Sequence, residues 1–81
     1  MENVNLTELL RYIVQNLVEN PDDISITELE QKDSITLQLK VAPSDMGKVI
    51  GRQGRIAKEI RVLLKSAGAR ENKKVDVSIL D

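Results

Sequence analysis

Residues 49–56 read Val49-Ile50-Gly51-Arg52-Gln53-Gly54-Arg55-Ile56, two apolar residues that run into G-x-x-G, with a basic amphipathic segment directly behind. Gly51 and Gly54 allow positive φ and let a ligand approach the backbone with no Cβ in the way. Arg52, Gln53 and Arg55 add side-chain donors. A loop of this kind opening onto a helix presents free N–H groups and the positive end of the helix dipole, a favourable place for a phosphate.

Beyond the loop, Ile56, Ala57, Ile60, Leu63, Leu64 and Ala67 fall within about 120° on a helical wheel, which predicts a helix burying that arc. Arg55, Lys58, Glu59, Arg61 and Lys65 occupy the opposite side. Gly68 is placed to end the helix as a C′ residue. Val75, Val77 and Ile79 then alternate in a last strand, residues 74–80.

Ahead of the loop, Ser44 is positioned as N-cap of a short helix over residues 45–50, with Asp45 in its first turn. Residues 24–42 read as a β-hairpin. Ile24 and Ile26 share a face in the first strand, with Leu29 out of phase and a bulge allowed for. Gln31-Lys32-Asp33-Ser34 forms the turn. Ile35, Leu37, Leu39 and Val41 alternate with polar residues in the second strand, giving it one buried face. At the start, Asn5 with Glu8 suggests a capping box. Leu6, Leu9, Leu10, Ile13 and Leu17 continue at helical spacing for about four turns, and Asn20-Pro21 closes the segment 1–20.

Eighty-one residues, 41% hydrophobic and 31% charged, suit one folded domain with a thin core. There is no cysteine and no histidine. Disulfides, thiolate nucleophiles, imidazole bases and the usual zinc ligands are therefore excluded, and no metal site, cofactor or enzymatic activity is expected. Neither a secretory signal nor an apolar run long enough to enter a membrane is legible, so the cytoplasm is the expected location. The net charge of −1 does not by itself suggest a nucleic-acid partner, but its distribution does. Residues 1–45 hold three bases against nine acids, net −6; residues 46–81 hold nine bases against four acids, net +5. Such asymmetry points to a polyanion-binding face in the second half.

The run from Lys48 to Ile56 resembles the signature of KH domains, in which an apolar pair precedes G-x-x-G and another apolar residue follows it. Taken whole, the chain resembles the KhpA (YlqC-like) family of small bacterial single-KH RNA-binding proteins. The predicted order is helix, strand, strand, short helix, G-x-x-G, helix, strand. Only a helix and one strand fit into the residues after Gly54, which selects the type II (bacterial) KH arrangement over the eukaryotic one. The expected fold is α+β, a three-stranded sheet with helices on one face.

The resemblance implies that the loop grips backbone phosphates of single-stranded RNA while bases lie on an apolar groove. The residues carried over are Lys48, Val49, Ile50, Gly51, Arg52, Gln53, Gly54, Arg55, Ile56, Lys58 and Arg61, with Val49, Ile50, Ile56 and Ile60 read as part groove floor and part core. Lys65, farther from the loop, reads better as a solvated position. With Tyr12 the only aromatic, base recognition relies on aliphatic contact and hydrogen bonds. The resemblance further implies self-association, a heteromer with a larger Jag/KH-domain RNA-binding protein, and a role in post-transcriptional control or as an RNA chaperone, linked to cell-envelope growth and division. Val62, in the middle of the charged side of its helix, and nearby Ser66 are the expected homodimer contact.

Two other readings compete with this one. A plain helix–helix turn would not crowd Lys48, Arg52, Arg55 and Lys58 together, since like charges at helical neighbour positions each cost a few tenths of a kcal/mol. The second is a protein-interaction module on a KH scaffold with little RNA binding, which an unpaired hydrophobic face would favour.

Overall fold

The computed structural model describes residues 5–80. Among these residues three α-helices and three strands follow in the order α1 (Leu6–Gln15), β1 (Ser25–Glu30), β2 (Ser34–Lys40), α2 (Met46–Ile50), α3 (Arg55–Ala69) and β3 (Lys74–Leu80). The sheet has the order β1-β2-β3. β1 and β2 form an antiparallel hairpin, whereas β3 runs parallel to β2. A parallel pair cannot be joined by a tight turn and needs a crossover, and α2, the glycine loop and α3 are that crossover. The loop therefore sits where the chain turns back toward the sheet.

Strand alternation decides what the sheet buries. Ile35, Leu37 and Leu39 of β2 pair across the sheet with Val75, Val77 and Ile79 of β3, all on the face covered by helices. Leu10 and Val14 of α1, Val49 of α2, and Ile60 and Leu64 of α3 complete this core. The other face carries Thr27, Leu29, Thr36, Gln38, Lys40, Lys74, Asp76 and Ser78. Leu29 is exposed there, as its phase requires. The register from Ser25–Lys40 to Glu30–Ile35 is uninterrupted, so the bulge allowed for in β1 is absent.

Four local expectations are corrected. α1 is ten residues long and ends at Gln15, before Asn20-Pro21. Asn5 does cap it, its Oδ1 accepting from the Glu8 N–H at 3.1 Å. Past Gln15, Leu17 and Val18 still donate to the Val14 carbonyl, and the backbone N–H groups of Glu19 and Asn20 bond instead to the carboxylate of Asp45. Ser44 is not a helix cap: it lies in a 3₁₀ turn, Pro43–Asp45, that precedes α2. Gly68 does not end α3. It stays helical and buried, because a Cβ there would stand 2.2 Å from Val75 Cγ2. The left-handed residue after α3 is Asn72, at φ 60°. Leu63, assigned to the buried arc, is 51% exposed. The buried side of α3 is Ala57, Ile60, Leu64 and Gly68, rotated toward β3 from the arc expected.

Candidate nucleic-acid interface

The loop between α2 and α3 contains three residues at positive φ: Gly51 at 76°, Gln53 at 58° and Gly54 at 75°. Gly51 closes α2 by donating its N–H to the Gly47 carbonyl at 2.9 Å. Its missing Cβ is doubly required, since one built there would lie 2.6 Å from Ile56 Cγ1. Ile56 thus braces the loop from below. At Gly54 a Cβ would meet nothing within 4 Å, so that backbone faces open space. Gln53 holds a left-handed conformation without being glycine, a strain of about 1–3 kcal/mol of the kind concentrated at binding sites.

α3 begins at Arg55 with Gly54 as its cap, and its first turn holds no acidic residue. The N–H groups and the dipole at this end are therefore met by no capping side chain. Arg52, Gln53, Arg55 and Lys58 surround it, exposed and, among the described residues, without a side-chain hydrogen bond or ion pair. Ile50 and Ile56 are half-buried and offer an apolar floor beside them.

Other residues carried over by resemblance occupy different positions. Val49 is fully buried, at 0% exposure, and Ile60 is nearly so. They support the groove as core and present no surface to a base. Lys48 is engaged: its Nζ lies 3.1 Å from Glu19 Oε1 and 3.4 Å from Asp45 Oδ1. The Glu19 carboxylate foremost, with Asp45 behind it, raises the Lys48 pKa against the effect of its partial burial. Arg61 donates from Nε to the Val77 carbonyl at 3.0 Å, which lays its side of α3 against β3, an edge strand. Val62, 53% exposed, and Ser66 stand on the outer side of α3. Leu63 joins them, and with Leu9, Ser66, Ala67 and Arg70 it lines a shallow groove between α1 and α3.

Asp45 is the residue that sequence reasoning placed in the wrong role. Its side chain is completely buried, and it accepts from the N–H groups of Glu19 (3.2 Å) and Asn20 (3.0 Å), from Asn20 Nδ2 (3.1 Å) and from Lys48. Burial pushes its pKa up, but these donors together outweigh it and hold the carboxyl below its ordinary value. The segment after α1 is thereby tied to the start of α2, five residues ahead of the loop. Only the neighbouring Asn20-Pro21 break hinted that something must receive those N–H groups.

This sheet order, with a positive-φ glycine loop at the crossover, defines a KH domain of the bacterial type. A family model described as KhpA/KhpB, KH domain, matches residues 7–79, and the chain belongs to that family. Among its relatives, the protein named RNA-binding protein KhpA from Clostridium perfringens is 52% identical over 93% of this chain and 100% of its own length. Its namesake from Borreliella burgdorferi is 44% identical over 95% of this chain and 94% of its own. Among solved structures, Aquifex aeolicus Era bound to GDP.AlF4- superposes with a TM-score of 0.66 at 19% identity over 93% of this chain. The matched region is 30% of that Era chain, and the likeness is one of fold. Among the described residues no group of His, Cys, Asp or Glu could hold a metal ion, and no helix is long and apolar enough to cross a membrane.

Proposed function

We propose that this protein binds single-stranded RNA, with residues 51–54 gripping backbone phosphates and the bases lying over Ile50 and Ile56. The observation that carries this is the contrast in pairing around the loop. Arg52, Arg55 and Lys58 have no anionic partner among the described residues, and the Gly54 backbone opens on empty space. A phosphate supplies the missing counter-charge at the α3 N-terminus. Lys48 contributes to the field near the loop, and Arg61 orients α3 on β3. The names of the curated relatives support the same reading.

The test is the double substitution Arg52→Asp with Gln53→Asp. Two carboxylates at the positive helix end repel phosphate, so affinity for a short single-stranded RNA falls at least about a hundredfold. Both positions are exposed, so Tm stays within a few degrees of the parent. RNA binding equal to the parent's would rule the loop out.

The exposed pair Val62 and Leu63, beside the groove lined by Leu9 and Ala67, supports self-association through the outer side of α3. One KH groove holds about four nucleotides, and a second protomer on the same strand raises avidity. Val62→Asp would bury a charge in that contact. Sedimentation at tens of micromolar should show a dimeric parent and a folded monomeric variant; a monomeric parent removes the dimer, and a dimeric variant removes only its placement. By resemblance to the family we extend the reading to a cytoplasmic protein that pairs with a larger Jag/KH-domain RNA-binding protein and acts in post-transcriptional control, as a regulator or RNA chaperone, linked to envelope growth and division. Co-purification of such a partner with the tagged chain tests that extension.

A further inference from the structure

The Glu19 side chain is 78% exposed, and among the described residues its carboxylate has one partner, Lys48 Nζ at 3.1 Å. The fold does not need that contact. Residues 17–20 are fastened through backbone N–H groups, those of Leu17 and Val18 to the Val14 carbonyl and those of Glu19 and Asn20 to the buried Asp45 carboxylate, and an exposed ion pair adds little to stability. Lys48 stands in the last turn of α2, three residues before Gly51. That separation is roughly 4.5 Å of helix rise, less than the length of a lysine side chain. We propose that Glu19 is a built-in competitor for the phosphate at the glycine loop: it holds Lys48 away from bound RNA and sets the affinity of the loop below what its cations would otherwise give.

The proposal rests on the RNA-binding reading above and adds to it a residue outside the loop that tunes it. Lys48 has two carboxylates within reach, and they differ in what they lose when it moves. Asp45 is buried and accepts from three other donors, the N–H groups of Glu19 and Asn20 and the Nδ2 of Asn20, besides lying 3.4 Å from Lys48. Its charge stays compensated without Lys48. Glu19 depends on Lys48 alone and is solvated, so its carboxylate returns to water at little cost. A phosphate at the N-terminus of α3 offers the ammonium an equivalent anionic acceptor, and the two anions exclude each other from it. Of the cations flanking the loop, Lys48, Arg52, Arg55 and Lys58, only Lys48 has an ion pair among the described residues, and it alone is under such control. Asp22, exposed in the 3₁₀ turn Pro21–Asp23 that follows, carries the same charge as Glu19 without an ion pair to Lys48 among the described residues. It separates an effect of the contact from one of overall charge.

The experiment measures affinity for a short 5′-labelled oligouridylate by fluorescence anisotropy on the full chain, comparing the parent with Glu19→Gln, Asp22→Asn, Lys48→Gln and the double variant Glu19→Gln with Lys48→Gln. All three positions are exposed, so the variants should keep the parent Tm. Expected are binding about two- to fivefold tighter in Glu19→Gln, the scale of an exposed ion pair, affinity near the parent's in Asp22→Asn, and no gain from Glu19→Gln in the Lys48→Gln background. An equal gain in Glu19→Gln and Asp22→Asn overturns the competitor, as it reports only a change of overall charge. A gain that persists in the Lys48→Gln background also overturns it, because Glu19 would then act on RNA without Lys48. If the parent binds no RNA, the loop reading fails and the competitor with it; RNA binding that is lost in Arg52→Asp with Gln53→Asp but unmoved in Glu19→Gln overturns the competitor and leaves the loop reading standing by itself.

Discussion

Gly54 and Gly68, at the two ends of α3, serve opposite purposes. At its N-terminus Gly51 and Gly54 take positive φ, and a Cβ at Gly54 would meet nothing. At its C-terminus Gly68 is helical, and a Cβ would collide with Val75 at 2.2 Å and crowd the Lys73 carbonyl at 3.1 Å. One end leaves its backbone open to a ligand; the other closes it against β3. The cations divide similarly around the loop. Lys48 is held by Glu19 and Asp45 on the α2 side, while Arg52 and Arg55 on the α3 side have no ion pair among the described residues. Space and exposed charge coincide at the loop, which a plain turn between two helices does not require.

The strongest test of this division is Gly68→Ala. The added methyl must displace a buried valine or shift β3, an overpacking cost of about 2 kcal/mol. In a domain of this size that is a fall in Tm of roughly 8–16 °C by thermal melt. The folded fraction should bind RNA as the parent does, and a variant with unchanged Tm would show that the close approach at Gly68 is not real.

Next in size is the Asp45 anchor. Asp45→Asn keeps the shape but loses the charge that four donors converge on, and we expect Tm at pH 7 to fall by about 10 °C. Its carboxyl is held ionised by the fold, below its free value of 3.8. The stability it contributes is therefore present above that value and lost as pH falls through the lowered value in the folded protein. The parent should lose stability on acidification below about pH 4 with a steeper limb than the variant, both followed by circular dichroism. Parallel acid limbs would remove Asp45 from the account of stability.

The smallest effect belongs to Gly47, which stands at neither extreme. It is exposed within α2, and a Cβ there would meet nothing. Gly47→Ala should stabilise by about 0.5–1 kcal/mol, raising Tm by roughly 2–8 °C without weakening RNA binding. If affinity falls while Tm rises, the outer side of α2 belongs to the RNA site and the open region extends past the loop.

The order of elements, the β-hairpin, the alternation of β2 and β3 and the glycine loop were all legible in the chain, because each is written in neighbouring residues: period 2 at Ile35, Leu37 and Leu39, helical spacing at Ile60 and Leu64, and G-x-x-G itself. So was the belonging of the basic residues to the second half. Contacts between distant segments were not legible. That Asp45 would turn inward to residues 19 and 20, that Lys48 would be engaged by Glu19, that Leu63 would face outward, and that Gly68 is needed for Val75 rather than for a left-handed cap depend on how α1, α3 and β3 are placed against one another. Local periodicity determines which residues can be buried together; only the packed arrangement decides which polar groups lose their water and must find partners, and which charges remain free to bind.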